Sequence, residues 1–477
     1  MYRAATGLST AVRLLLQGTR VRLTFDRGTL LLAREAEEID PATIPWVLWD
    51  ARVERYRAPP YRHRDIVAEL RTRAVRVSDD ATHLVRLPNK DLTSPALRDY
   101  QETALELWSQ VGQRGIVSLP TGSGKTVVAM GAIAAVGTSV LCLVPTRVLL
   151  HQWRETLAKH YGGRIGVLGD GIHTVEAVTV ATFESGFRAM SRIGHCFGLL
   201  VVDEAHHFGA GMRDEALEMC LAPARLGLTA TPPSGEAGTR LGELIGPVVY
   251  RLGVADLAGS FLSSYEIVSV HVEPSLDERA LYETSLGIFR ESHRGFVTSH
   301  PGASWLDFVR AASTSERGRR ALASWRRAKS VLAFPAGKRR TLASLIDRHR
   351  DARMLIFTAD NQSAYEIARE HLIMPLTCDI GPKERADAVA AFREGRLRAL
   401  VSAQVLNEGF DVPDADVAII VAGRFGEREY IQRVGRLLRP TPGKRARIYE
   451  LLTRGTSEIA RSARMREGLA VRRASAA

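Results

Sequence analysis

Between residues 92 and 250, short apolar runs alternate with stretches whose apolar residues return at helical spacing. The runs are Gly115–Leu119, Ser139–Val144, Ala177–Ala181, Leu199–Val202 and Arg225–Leu228. Runs too short for helices, set between amphipathic segments, predict strands of a parallel sheet that helices cover on both faces. A second set begins near Tyr265 and resumes at Met354–Phe357, Ala399–Ser402, Val417–Val421 and Arg447–Glu450. The pattern predicts two α/β domains in tandem, over residues 91–250 and 251–460. Residues 1–90 hold the strand-like stretches Val21–Phe25 and Thr29–Ala33 and a segment punctuated by Pro41, Pro45, Pro59 and Pro60, which predicts a small separate α+β domain. A helical, basic insertion over about 277–335 interrupts the second α/β domain, divided at Pro301-Gly302, and an Arg/Ala/Ser-rich tail covers 461–477. The uncharged run Val127–Val144 has the length of a membrane span, but Gly137, Thr138 and Ser139 break it into a helix followed by a strand.

The 477 residues suffice for about three domains at roughly 150 residues each. With 45% hydrophobic and 25% charged residues, wholesale disorder and a collagen-like chain are excluded. Basic residues exceed acidic ones by 65 − 53 = 12, which favours a polyanionic partner. Seven lysines against 58 arginines is a skew that GC-rich coding alone can produce, so the location of the charge matters more than its total. Residues 310–350 carry a net +10 and residues 461–477 a net +4, leaving −2 for the rest. Cys142, Cys196, Cys220 and Cys378 form no C-x-x-C pair, so neither a disulfide framework nor a zinc site is expected. Arg13 interrupts the only apolar N-terminal stretch, which argues against a secretory signal, and a cytoplasmic protein with no membrane partner is expected.

Chemistry concentrates at two strand ends. Thr121-Gly122-Ser123-Gly124-Lys125-Thr126 follows one predicted strand and opens a helix, the setting of a phosphate-binding loop. Glycines let backbone N–H groups turn toward phosphate oxygens, Lys125 neutralises the β and γ phosphates, and Thr126 is a magnesium ligand. Leu199–Val202 leads into Asp203-Glu204-Ala205-His206 at the strand edge where ligands bind. Asp203 suits magnesium, and Glu204 suits a water-activating base; ordinary acidic capping of a helix is the plainer reading of either alone.

With those motifs in order, the chain resembles superfamily 2 helicases and translocases. Leu97-Arg98-Asp99-Tyr100-Gln101 resembles the adenine-recognition motif, which implies Gln101 on the base with Arg98 beside it. Pro145-Thr146-Arg147 and Ala181-Thr182-Phe183 resemble strand-backbone contacts, and Thr229-Ala230-Thr231 the motif coupling hydrolysis to movement. Asn407-Glu408-Gly409-Phe410-Asp411, with Gly409 and Asp411 toward the nucleotide, and Gln432 through Arg439 resemble motifs V and VI. The resemblance implies Arg436 and Arg439 as arginine fingers and a link from His206 to Gln432. A planar cation brought from a second domain stabilises transition-state charge only when a cleft closes, although three arginines at this spacing also suit a plain basic helix face.

Within the superfamily the chain is most similar to the xeroderma pigmentosum group B (XPB) helicases in their shorter archaeal and bacterial form. Leu119-Pro120 before the phosphate loop, where the broad motif has glycine at 119, and Leu244 through Tyr250 fit that family. Trp49-Asp50-Ala51-Arg52 with Tyr56-Arg57-Ala58 resembles its damage-recognition-like, DNA-sensing domain. The resemblance implies two RecA-like P-loop domains, ATP and magnesium as cofactors, single- and double-stranded DNA as partner, and 3′ to 5′ movement in repair or remodelling. It also implies a thumb-like role for the insertion, with Arg319, Arg320, Arg326 and Arg327 on phosphates; its Trp305, Phe308 and Trp325 are read as packing. The family's Arg-Glu-Asp signature after motif III is missing, since Pro232-Pro233 leads into Ser234-Gly235-Glu236. Two other readings fit the same residues: an RNA-directed remodelling ATPase, and the motor of a restriction or phage-defence complex with a nuclease, repair or defence partner. A non-catalytic DNA-binding subunit fits poorly with intact Lys125, Asp203, Glu204, Arg436 and Arg439.

Overall fold

The computed structural model describes residues 20–34, 40–88, 92–211, 213–403, 415–422, 430 and 445–467. Two compact units divide the chain, the first holding residues up to Leu119 and Gly124–Arg251, the second Pro120–Ser123 and the residues from Leu252 on.

The first unit opens with β1 (Arg20–Asp26), β2 (Thr29–Arg34), β3 (Leu48–Asp50), β4 (Arg55–Ala58), α1 (His63–Thr72) and β5 (Arg76–Asp79), forming a sheet of order β3-β4-β2-β1-β5. Alternation buries Val21 and Leu23 of β1 and Leu30 and Leu32 of β2 against Ile66 and Leu70 of α1. Leu221, from the following α/β layer, completes this small core, and Tyr61 reaches in the opposite direction into the larger one. Each such burial contributes about 1.5–3 kcal/mol, so the two layers share stabilising contacts.

The larger sheet contains β6 (Arg114–Ser118), β7 (Val140–Val144), β8 (Ile165–Gly169), β9 (Ile172–Thr174), β10 (Val178–Thr182), β11 (Leu199–Asp203), β12 (Ala224–Thr229) and β13 (Val248–Arg251). Its order is β13-β6-β12-β11-β7-β10-β8-β9, with every pairing parallel except the β8–β9 hairpin. Flanking helices include α2 (Asp99–Gln110), α3 (Lys125–Val136), α4 (Arg147–His160), α5 (Phe183–Ile193) and α6 (Gly235–Leu244). The strands β7, β10 and β11 are buried at every position, which is why the sequence shows them as unbroken apolar runs. The one charge in the predicted run Arg225–Leu228 is fully buried: Arg225 donates Nη1 to the carbonyls of Leu217 (3.0 Å) and Leu244 (2.7 Å) and Nε to that of Ala222 (3.2 Å). Gly137, at φ 62°, ends α3 in the left-handed conformation and separates it from β7, so the uncharged run is a helix and a strand. No described helix is long and apolar enough to cross a membrane.

The second unit is built on β14 (Ser264–Val272), β15 (Met354–Phe357), β16 (Met374–Leu376), β17 (Ala399–Ser402), β18 (Val417–Ile420) and β19 (Arg445–Thr453), all parallel in the order β14-β19-β18-β15-β17-β16. Between β14 and β15 lie α7 (Leu276–Ser299), α8 (Trp305–Thr314), α9 (Glu316–Ala333) and α10 (Ala336–Arg348). Ser275 with Glu278 and Ser304 with Asp307 cap α7 and α8 reciprocally, so the boundaries are written in the sequence. Phe308, Ala312 and Leu322 form a small core with Phe289, Phe296 and Val309. The C-terminal helix α11 (Ser457–Glu467) carries Glu458, which accepts from the buried Lys338 Nζ at 2.7 Å.

Candidate active site

The phosphate-loop motif joins β6 to α3, with Gly122 at φ 84° and Gly124 at φ 81°, conformations that favour glycine. A Cβ on Gly124 would lie 2.7 Å from Nε2 of Gln101, so the loop and α2 approach closely at that position. Gln101 is buried, accepts from the Arg98 backbone N–H at 3.0 Å and donates to the Gly124 carbonyl at 3.4 Å. The Ser123 hydroxyl donates to the Pro120 carbonyl at 2.7 Å, whereas the buried Thr121 hydroxyl has no hydrogen-bond partner among the described residues. A buried hydroxyl without a partner, in a loop with two positive-φ glycines, fits a phosphate oxygen. Thr126 stands in the first turn of α3.

Lys125 Nζ donates to the Leu119 carbonyl at 3.3 Å and stands 4.0 Å from Oε1 of Glu204. Asp203 ends β11, and its Oδ1 accepts the Glu204 backbone N–H at 3.0 Å. Glu204 adopts φ 49°, uncommon for a residue with a Cβ, which marks a strained turn at the sheet edge. Burial, then the neighbouring Glu204 carboxylate, push the Asp203 pKa up to about 6, against the opposing pull of Lys125 and the Trp153 hydrogen bond. Two carboxylates facing one ammonium leave excess negative charge in a buried place, which fits a divalent cation held by Asp203 and Thr126.

Motif reasoning did not identify Trp153. From the middle of α4 its indole N–H donates to Oδ2 of Asp203 at 2.9 Å. No local pattern signals a contact between residues fifty positions apart. The buried Thr229 hydroxyl lies 3.0 Å from Nδ1 of His206 and accepts the Thr231 backbone N–H at 3.2 Å. His206 Nδ1 also lies 3.3 Å from Glu204, so one imidazole nitrogen adjoins both the acidic turn and Thr229.

The residues predicted to contact a strand take unequal positions. Thr146 and Thr182 cap α4 and α5, their hydroxyl oxygens accepting from the Leu149 and Ser185 backbone N–H groups, each at 3.3 Å. Thr182 is buried, so its hydroxyl serves the cap. Arg147, in contrast, is exposed at the first position of α4.

In the insertion, Arg319, Arg320, Arg326 and Arg327 are all exposed on the side of α9 opposite Ala321, Leu322 and Ala328. Not all of the basic segment is available to a ligand. Lys338 is buried on Glu458, Arg339 is paired with Glu366 and Glu370, and Arg317 lies 2.8 Å from Glu291. Trp325 and Phe308 pack with Phe289, while Trp305 remains 41% exposed beside them, so packing accounts for only part of its surface. Gly409, Asp411, Gln432, Arg436 and Arg439 lie outside the described residues.

Residues 23–81 match the Xeroderma pigmentosum group B helicase damage recognition domain, residues 94–234 the family described as Type III restriction enzyme, res subunit, and residues 337–441 the Helicase conserved C-terminal domain. The DNA 3'-5' translocase XPB2 of Sulfurisphaera tokodaii is 31% identical over 436 residues, covering 90% of this chain and 98% of that protein. The putative DNA 3'-5' helicase Rad25 of Halobacterium salinarum is 32% identical over 76% of this chain; the match spans 55% of that longer protein. The DNA 3'-5' helicase XPB of Mycobacterium tuberculosis is 29% identical, over 78% of this chain and 64% of its own length. The Pyrococcus furiosus Hef helicase domain, a solved structure, shares the fold with a TM-score of 0.54 at 18% identity, covering 78% of this chain and 98% of that one. The chain belongs to the XPB helicase family.

Proposed function

We propose that this chain is a DNA-stimulated ATPase that moves 3′ to 5′ along single- and double-stranded DNA, in repair or remodelling. One observation carries the reading: α4 presents Arg147 at its first turn and, through Trp153, holds the carboxylate of Asp203. One rigid element thus joins a basic, exposed end to the acidic turn beside the phosphate loop. Supporting it, the Sulfurisphaera relative named a DNA 3'-5' translocase aligns over nearly its whole length.

In this reading Lys125 and the loop N–H groups neutralise and orient the phosphates of ATP, and Gln101 with Arg98 recognises the base. Thr126 and Asp203 hold magnesium, which supplies positive charge to the phosphate oxygens. Glu204 orients the attacking water and takes its proton, with Lys125 Nζ 4.0 Å from its carboxylate. The family resemblance assigns transition-state charge to Arg436 and Arg439, nucleotide binding to Gly409 and Asp411, and the coupling of hydrolysis to movement to His206, Thr229, Thr231 and Gln432. The division into a DNA-sensing segment to about residue 90, two motor domains meeting near 250 and an inserted thumb belongs to the same proposal.

The test is Lys125→Ala beside Glu204→Gln. The first should abolish hydrolysis and leave DNA binding, since the insertion is untouched; the second should retain ATP and stall. Wild-type turnover in either would overturn the assignment.

A further inference from the structure

The β8–β9 hairpin turns through three successive residues with positive φ, Gly169 (143°), Asp170 (52°) and Gly171 (79°). A Cβ on Gly169 would lie 3.0 Å from Cγ2 of Thr182 and 3.1 Å from Cδ2 of Leu150, so the turn is wedged between the end of β10 and α4. This wedge delivers the Asp170 carboxylate to the exposed start of α4. Its Oδ2 accepts from His151 Nε2 at 2.8 Å, and its Oδ1 lies 3.4 Å from Nη1 of Arg147.

An ion pair this exposed, with the Arg147 side chain 76% accessible, contributes little to stability. Two of the three positive-φ residues are glycines, so the strain falls on Asp170 alone, and so weak a pair makes holding the fold a poor account of its purpose. Its chemistry suggests another. A carboxylate and a phosphodiester both present two oxygens sharing negative charge, and both are satisfied by a guanidinium and a ring N–H. Asp170 occupies, with the same kind of atom, the donors that a nucleic-acid backbone would use.

We propose that Asp170 is a built-in phosphate substitute that holds Arg147 and His151 until a strand backbone displaces it. The inference rests on the reading of Arg147 as a strand contact. Binding must exchange one anion for another on these donors while the displaced carboxylate stays nearby, so Asp170 lowers affinity for any polyanion and speeds release. A motor that must let go at every step gains from that, because a grip that is too tight stalls it.

The experiment compares wild type with Asp170→Asn, Arg147→Ala and the double variant, binding a fluorescein-labelled oligothymidylate over a salt series without nucleotide. Asparagine tolerates left-handed backbone, and Asp170→Ser provides a second charge removal should the first fold poorly. Asp170→Asn should tighten binding about fivefold to tenfold and steepen the salt slope by about one unit, and the gain should vanish without Arg147. If Arg147→Ala weakens binding but Asp170→Asn and Asp170→Ser change nothing, the phosphate-substitute role is wrong and the strand contact stands. If Arg147→Ala changes nothing either, both the role and the strand contact are wrong.

Discussion

The indole N–H of Trp153 donates to Oδ2 of Asp203 at 2.9 Å, with both side chains buried. The other oxygen of that carboxylate is taken by the Glu204 backbone N–H, so Asp203 has a fixed orientation before any ligand arrives. The bond links the helix bearing Arg147 to the carboxylate suited to magnesium, and any coupling through it is reciprocal.

Trp153→Phe keeps an aromatic ring, smaller than the indole, and removes the donor. A hydrogen bond to a charged group is worth about 1.5–3 kcal/mol, so the magnesium concentration for half-maximal ATPase should rise about tenfold or more. Its pH dependence has a definite sign. Asp203 must be ionised to ligate a cation, and burial already raises its pKa to about 6. Losing a donor raises it further, so the acid loss of magnesium binding should begin at higher pH in the variant. An unchanged magnesium requirement across pH would reduce Trp153 to packing.

His195 gives a pH effect of a different kind. Its ring stacks on Phe25 at 4.6 Å and meets the edge of His83 at 4.9 Å, and its buried Nδ1 has no hydrogen-bond partner among the described residues. Burial, and secondarily His83, hold its pKa below the ordinary value of 6.5. The unfolded chain therefore takes up a proton before the folded one does, so stability is intact above pH 6.5 and falls as the pH drops below it. His195→Phe should remove this share of acid sensitivity, narrowing the fall in melting temperature between neutral and mildly acidic buffer by a few degrees. Identical pH profiles for the two proteins would contradict the account of this seam.

The exposed row Arg319, Arg320, Arg326 and Arg327 should act as a sequence-independent grip. Neutralising all four should flatten the log-affinity against log-salt slope by about one unit per lost phosphate contact, whatever the DNA sequence. Lys338→Met should leave that slope alone, because its ammonium is buried on Glu458. A full slope after removing the row would return α9 to the role of a solvated helix face.

These contrasts show what could be read from the chain alone. Motifs in which chemistry and backbone geometry share neighbouring residues were legible: the phosphate loop, Asp203-Glu204, and strands such as Met354–Phe357 whose burial is continuous. Contacts made by folding distant segments together were not. Trp153 reaches a residue fifty positions away, Asp170 reaches Arg147 from the turn of a hairpin, and β16 has only three residues to signal a strand. In the basic segment, composition cannot say which cations turn inward, so Lys338 and Arg320 looked alike in sequence though one is buried and the other exposed.

The departure after motif III bears on what the motor does. The segment from Pro232 runs straight into α6, whose first turn holds Gly235 and Glu236, with no charged trio to grip a splayed duplex end. Movement along duplex DNA should therefore outpace strand separation. The most direct measurement is ATP-driven displacement of a third strand from a DNA triplex, run beside unwinding of a fork. The isolated protein should displace the third strand efficiently, unwind the fork weakly, and do neither as Lys125→Ala. Triplex displacement that is absent, or equal in wild type and Lys125→Ala, would contradict the claim that this chain is an ATP-driven DNA motor.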